Sequence, residues 1–341
     1  MNQTAVPDAH AQHPAGIDTD ARRRRQAALR ALTGWLPGAA CLVLAIAYTA
    51  AAAAHGINLL IGDEVVIADA ALVALVATGA AFIFTCGSFD LSLGSNMLVS
   101  ALVGGLWGRE TGSLWAVVAG CLCTAVVLSV TNSLLASFFN LPVFIMTIVM
   151  MSVYSAAATL IITAFGRNSA VVLPAALTQG ADRPWVYLVV PLLYAALSCV
   201  LFYLTPLGYR QRFLGGSPAC AFLSGIRPKA LTVASFALAG VGIGLAAVMM
   251  IIRTPTLSAT SGSSVGMNML IALVFGGMPM NGGPRSRMYA ALLGAFSMSF
   301  LDALMNIFVT GSWYLQIVKG MLFVAVVFLF TLSGRGKLLE R

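Results

Sequence analysis

Few side chains in this sequence are equipped for chemistry, and most of those stand inside apolar runs. Four ionisable residues, Asp69, Asp90, Asp302 and Lys319, interrupt or border such runs. A charge at membrane depth costs roughly 2.5–3.5 kcal/mol on insertion scales, so each needs a partner or a function. Asp302 and Lys319 fall on consecutive runs joined by a short loop, and are expected to form a buried pair, with a structural role favoured over one in translocation. Asp90 sits between two runs, at a helix end near the cytoplasmic face, and its carboxylate is expected to cap the second run. Asp69 is expected near a helix start, facing water. Histidine chemistry is poorly supplied. His10 and His13 belong to a polar N-terminal stretch, and His55 follows the first apolar run. Gly262-Ser263-Ser264-Val265-Gly266 satisfies G-x-S-x-G. A nucleophile elbow also needs a strand-to-helix turn and a later histidine, and none follows His55. The six cysteines (Cys41, Cys86, Cys121, Cys123, Cys199, Cys220) show no C-x-x-C or metal-ligand spacing and read as buried small hydrophobes. No G-x-x-x-x-G-K-[ST] run occurs, so the chain lacks a P-loop with which to hydrolyse ATP.

What must position these residues is a membrane bundle. Of 341 residues, 60% are hydrophobic and 9% charged, with a mean hydropathy of +0.93. A soluble domain carries about 25% charged residues, and a globule this apolar could not cover its own surface. Ten apolar segments are expected to cross as helices: 34–54, 65–86, 91–107, 113–136, 142–165, 185–205, 230–252, 265–280, 288–308 and 313–332. Helices satisfy every backbone polar group within the segment, and unbroken runs of this kind exclude the alternating strands of a β-barrel. The runs at 91–107 and 265–280 are short or glycine-interrupted, and are expected to be bent or partly re-entrant. The fold class is therefore all-α, a polytopic transmembrane bundle of about ten helices with both termini cytoplasmic.

The charge pattern sets the orientation. Placing the N-terminus inside puts fourteen Lys and Arg residues in the tails and cytoplasmic loops, and leaves four outside: Arg109, Arg167, Arg183 and Arg253. That asymmetry explains the net charge of +8 without any nucleic acid. Residues 1–32 form a disordered basic cytoplasmic tail. Its Arg22 to Arg25 and Arg30 could be the n-region of a secretory signal. The apolar run that follows is, however, long enough to be retained as the first span. The transmembrane domain covers 33–333, with a cytoplasmic loop at about 206–229, and 334–341 is a short cytoplasmic C-terminal tail.

The most distinctive run is Cys86-Gly87-Ser88-Phe89-Asp90-Leu91-Ser92-Leu93-Gly94-Ser95. It closely resembles the G-G-I-D-L-S-V-G-S stretch of the ribose-type ABC importer permeases (the branched-chain and sugar group), the inner-membrane components of such importers. Further matches follow in order: Asn132, then Leu141-Pro142-Val143-Phe144-Ile145-Met146-Thr147, Thr205-Pro206-Leu207-Gly208-Tyr209-Arg210, Gly215-Gly216-Ser217-Pro218, Leu223-Ser224-Gly225-Ile226, the pairs Gly276-Gly277 and Gly282-Gly283, and Gln316-x-x-Lys319-Gly320. The resemblance covers roughly 65–332. Departures are Ala219 for a glutamate, Phe222 for an arginine, and Gly266 and Asn268 at positions that are commonly acidic.

The resemblance implies a permease subunit that forms the path for a sugar or related small polar solute and is not itself an enzyme. It implies three partners: a separate ATP-binding cassette subunit, an extracytoplasmic solute-binding protein and a second permease subunit. It implies no cofactor on this chain, ATP being held by the partner. The segment 215–226 would be the coupling helix, with Gly215, Gly216, Pro218, Phe222, Leu223, Ser224 and Gly225 at the ATPase. Ser217-Pro218 reads independently as a helix start and Gly225 as a stop. Asp90, Ser92, Asn132, Pro142 and Thr147 carry the family motif and are candidates for the path. The competing reading is an ion-gradient-driven secondary transporter, which needs coupling residues converging at the midplane and often internal repeats. No clear repeat is present. A membrane enzyme needs a catalytic constellation, and none is found in the sequence.

Overall fold

A computed structural model describes residues 37–56, 59–279, 282–308, 314, 317–321 and 324. Among these, eleven helices follow one another before the helical residues 317–321: α1 Pro37–Ala54, α2 Leu59–Thr85, α3 Leu93–Thr111, α4 Leu114–Phe138, α5 Val143–Phe165, α6 Pro184–Leu204, α7 Pro206–Gly216, α8 Pro218–Leu223, α9 Pro228–Arg253, α10 Ser263–Phe275 and α11 Tyr289–Phe308. Two three-residue strands, β1 Ala170–Val172 and β2 Thr256–Ser258, pair antiparallel with Val171 opposite Leu257. They tie the α5–α6 connection to the α9–α10 connection.

Beyond Asp69, helix α2 is apolar nearly all round, as is α9 between its charged ends, the character of a helix at the centre of a bundle. They are buried along most of their lengths and pack against each other; α9 also packs against α4 and α3, and α2 against α11, α6 and α10. Gly240 and Gly244, one turn apart on α9, allow this approach. A Cβ at either would lie 2.7 Å from the Cα of Val126 or 2.8 Å from that of Leu122 on α4. Helices α4, α5 and α6 turn Val127, Leu134, Val149, Leu160, Leu193 and Leu197 outward, where only lipid or another apolar surface can cover them. Trp107, Trp115 and Trp185 are exposed and cluster at one end of the bundle, at the end of α3 and the starts of α4 and α6. That is the placement of an interfacial aromatic belt.

Seven described helices are long and apolar enough to cross a membrane: α1, α2, α4, α5, α6, α9 and α11. The expected spans at 91–107 and 265–280 correspond to α3 and α10, which fall outside that group. Helix α10 has 13 residues, about 20 Å at 1.5 Å per residue, against a hydrocarbon core of ~30 Å. The glycines, Ser95, Asn96 and Arg109 of α3 lower its hydropathy instead. The basic tail 1–32, the C-terminal tail 334–341 and most of the tenth span, 313–332, lie outside the described residues.

The start of α3 is set deep. Asn96 bonds Ser129, and a Cβ at Gly104 would meet the backbone N of Cys121 at 2.7 Å, so the antiparallel register places Leu93 beside Asn132. Helix α4 runs on for six residues to Phe138, about 9 Å at 1.5 Å per residue. Residues 86–92 fill the space left under α3.

Candidate functional site

The connection 86–92 is built around a fully buried carboxylate. Helix α2 ends in a Schellman turn: Gly87, at φ +77°, donates to Phe84 O at 2.9 Å, and Ser88 donates to Ile83 O at 3.3 Å. Three residues on, Asp90 Oδ1 accepts from both the backbone N–H and the hydroxyl of Ser92, each at 2.7 Å. Ser92 is the N-cap of α3, so the carboxylate holds the cap residue rather than the first helical amides. The bonds then pass to other helices. Asn132 on α4 donates its amide to Ser92 Oγ at 2.8 Å, and Tyr154 on α5 donates its hydroxyl to Asn132 Oδ1 at 2.6 Å. Thr147 Oγ1 accepts from Leu91 N at 3.4 Å. Asp90, Ser92, Asn132 and Thr147 thus come together, while Pro142 stands apart as the exposed N-cap of α5. Asp90 Oδ2 is buried without a hydrogen-bond partner. Burial pushes the Asp90 carboxyl up to about 6, against the downward pull of the bonds from Ser92.

The loop at 206–229 is two helices. Thr205 caps α7 by accepting from Leu207 N at 3.3 Å, and Ser217 caps α8 by accepting from Cys220 N at 3.3 Å, each with proline at the first helical position. Ser224 is the C-cap of α8. Gly225, at φ +78°, closes a second Schellman turn, with Gly225 N to Phe222 O at 3.0 Å and Ile226 N to Ala221 O at 3.1 Å. The inner side of α8 buries Ala221 with Cys86, Leu214 and Leu231. Its outer side leaves Phe222 70% and Leu223 85% exposed. Gly215 and Gly216 end α7 against the loop that holds Gly282, Gly283 and Pro284.

Lys319 Nζ lies 2.8 Å from Asp302 Oδ1, and Asn268 of α10 contacts both. Two expectations need correction. Asp69 is not at a helix start: α2 begins at Leu59, and Asp69, ten residues in, pairs with Arg253 at the end of α9. Of the cysteines, Cys86 and Cys121 are buried, but Cys123 and Cys220 are exposed, because they stand on outward faces of α4 and α8. Residues missed from the sequence are Tyr154 and Gln211, which donates to Ser235 Oγ at 2.8 Å; Asn268 is marked there only as a departure from the family's acidic residues, without its bonds to Asp302 and Lys319. Asn96 was missed as well, and its amide bonds Ser129 Oγ at 2.9 Å. For Tyr154 and Asn96 the signal was available, because an amide or phenol within an apolar run must find a partner; Gln211, between Arg210 and Arg212 in a polar loop, gives none. Among the described residues, no three His, Cys, Asp or Glu side chains converge as a metal site.

A bundle of apolar helices with an outward apolar surface, a buried polar turn and a short capped helix that exposes apolar side chains at one end fits a multi-pass membrane transport permease. The chain belongs to the family described as "Branched-chain amino acid transport system / permease component", whose profile matches residues 64–327. It is similar to the ribose import permease protein RbsC of Bacillus subtilis, 29% identical over 75% of this chain and 80% of that protein. The RbsC of Escherichia coli K12 is 27% identical over 74% of this chain and 80% of its own length. The autoinducer 2 import system permease protein LsrC of Yersinia pseudotuberculosis (strain IP 31758) is 22% identical over 77% and 75%. No solved structure matches significantly. The chain is a permease component of an ABC importer in the cell membrane.

Proposed function

We propose that this chain forms one half of the translocation path of an ABC importer for a sugar or related small polyhydroxylated solute. It crosses the membrane ten times with both termini in the cytoplasm, and docks its ATPase through α8. The observation that carries the reading is α8 itself. A six-residue helix, capped at both ends and set outside the bundle, offers Phe222 and Leu223 to a partner. The fourteen-to-four cation asymmetry supports placing α7 and α8 on the cytoplasmic side, where an ATPase would be. The solute class follows the ribose permeases to which the chain is similar. A second permease subunit completes the path, an extracytoplasmic binding protein delivers the solute, and ATP is bound and hydrolysed on the cytoplasmic subunit.

On this reading the work done on the chain is conformational. ATP-driven closure of the ATPase pair favours one arrangement of the bundle over the other by differential contact with α8. The test is purification in mild detergent with mass spectrometry of the accompanying proteins, followed by uptake of labelled D-ribose into proteoliposomes. An ATPase in near-equal amount and ATP-dependent uptake are expected. An ATPase-free preparation that moves solute on an ion gradient would overturn the reading.

A further inference from the structure

We propose that the C-terminal turn of α2, residues 85–87, receives the movement of α7 and α8, with Gly215 and Gly282 as positioning residues. This rests on the reading of α8 as the ATPase-docking helix. Two independent links end on that turn. The first is made of backbone alone. A Cβ at Gly215 would fall on Thr85 O and 2.6 Å from Gly283 N. A Cβ at Gly282 would fall on Phe84 O and 2.6 Å from Gly87 N. Gly283 N–H meanwhile donates to Thr85 O at 3.0 Å. Three main chains therefore meet with no side chain between them. Such a contact cannot relax by a change of rotamer, so the strands of chain in it move together.

The second link uses side chains. Gln211 of α7 donates to Ser235 Oγ of α9, which lies 3.2 Å from Cys86 Sγ. Cys86 in turn packs with Ala221 of α8 and Leu214 of α7. On the far side of the turn, the Schellman geometry at Gly87 fixes the exit of the chain, and Asp90 stands only three residues later, bonded through Ser92 to Asn132 and Tyr154. A displacement of α8 thus has a short, stiff route into α4 and α5.

The test uses the importer with its co-purified ATPase in nanodiscs. The exposed thiols are removed by Cys123→Ser and Cys220→Ser, and Ser155→Cys on α5, beside Tyr154, serves as reporter. Maleimide labelling of the reporter is timed with and without ATP and vanadate. The expected result is a nucleotide-dependent change of about fivefold or more in the unaltered junction. With Gly215→Ala that change, normalised to the ATPase recovered with each variant, should shrink to under about twofold. Gly216→Ala is the control, since its Cβ would meet only Pro284 Cδ at 3.2 Å. A full response in Gly215→Ala overturns the proposal. If that variant does not assemble, Gln211→Ala decides: a reduced response with intact assembly supports the proposal, and an unchanged one overturns it. Recovery of no ATPase with the unmutated chain is a different failure, that of α8 as the docking helix.

Discussion

Asn268 bridges the two ends of an ion pair: its amide donates to Asp302 Oδ2 at 2.8 Å, and its carbonyl accepts from Lys319 Nζ at 3.2 Å. Three segments, α10, α11 and the helical residues 317–321, are pinned at one point. The family positions that commonly carry acids in this stretch hold Gly266 and Asn268 here, so one carboxylate faces one ammonium and the amide satisfies both.

Breaking that pair from one side strands a charge that is less than a fifth exposed. Lys319→Met is expected to lower stability by about 3–5 kcal/mol, and Asp302→Leu with Lys319→Met to recover most of it. Thermal unfolding in detergent reads both. A double variant that is stable but does not transport would move the pair from scaffold to path.

Asp90 makes stability depend on pH in a defined direction. Its folded carboxyl is raised to about 6 by burial, above the usual value of about 4. The neutral form is therefore favoured by folding, its contribution is fully present below pH about 4, and it is lost as pH rises through about 6. Asp90→Asn keeps an acceptor for Ser92 and should remove this part of the melting-temperature slope between pH 4 and 6. Asp90→Ala leaves the Ser92 groups without an acceptor and should cost about 1–3 kcal/mol. Superimposable pH profiles for wild type and Asp90→Asn would count against the assignment.

Phe222→Asp places a charge at the exposed face of α8, where nothing in this chain depends on the ring. The expected result is an unchanged melting temperature and a loss of about tenfold or more in co-purified ATPase, the scale of an interface anchor. Undiminished recovery would show that the ATPase docks elsewhere.

Gly240→Leu should push α9 away from α4, since even its Cβ would lie 2.7 Å from the Cα of Val126. Overpacking of this kind costs about 1–3 kcal/mol. Gly180→Ala, which meets nothing within 4 Å, should be silent in the same unfolding assay.

The spans were legible because each apolar run is itself the signal: 142–165 and 185–205 were expected, and helices occupy Val143–Phe165 and Pro184–Leu204. The starts of α7 and α8 were legible too, in Thr205-Pro206 and Ser217-Pro218, because caps are local chemistry. Asp69 misled because helix α2 begins before the apolar run does, with Glu64 in its early turns. Depth was beyond reach. Nothing near Leu93 says that α3 starts beside Asn132, since that depends on partners such as Asn96 and Ser129, 33 residues apart. Nor could the junction of Gly215 with Thr85 be read, because a glycine pair does not name the backbone it approaches.

The shortness of α10 and the mixed character of α3 bear on how the chain is made. Neither carries the uninterrupted apolar length that lets a segment partition into lipid by itself as it leaves the ribosome. The two meet at their starts, where Gly94 and Gly262 stand so close that a Cβ on either would lie 2.5 Å from the other's carbonyl oxygen. Some 170 residues separate these segments in the chain, so the earlier one must wait, incompletely sheltered, until the later one is synthesised. Biogenesis is then the step most exposed to a lesion at this contact, and the damage would show as misinserted or degraded protein before any defect in transport could be measured.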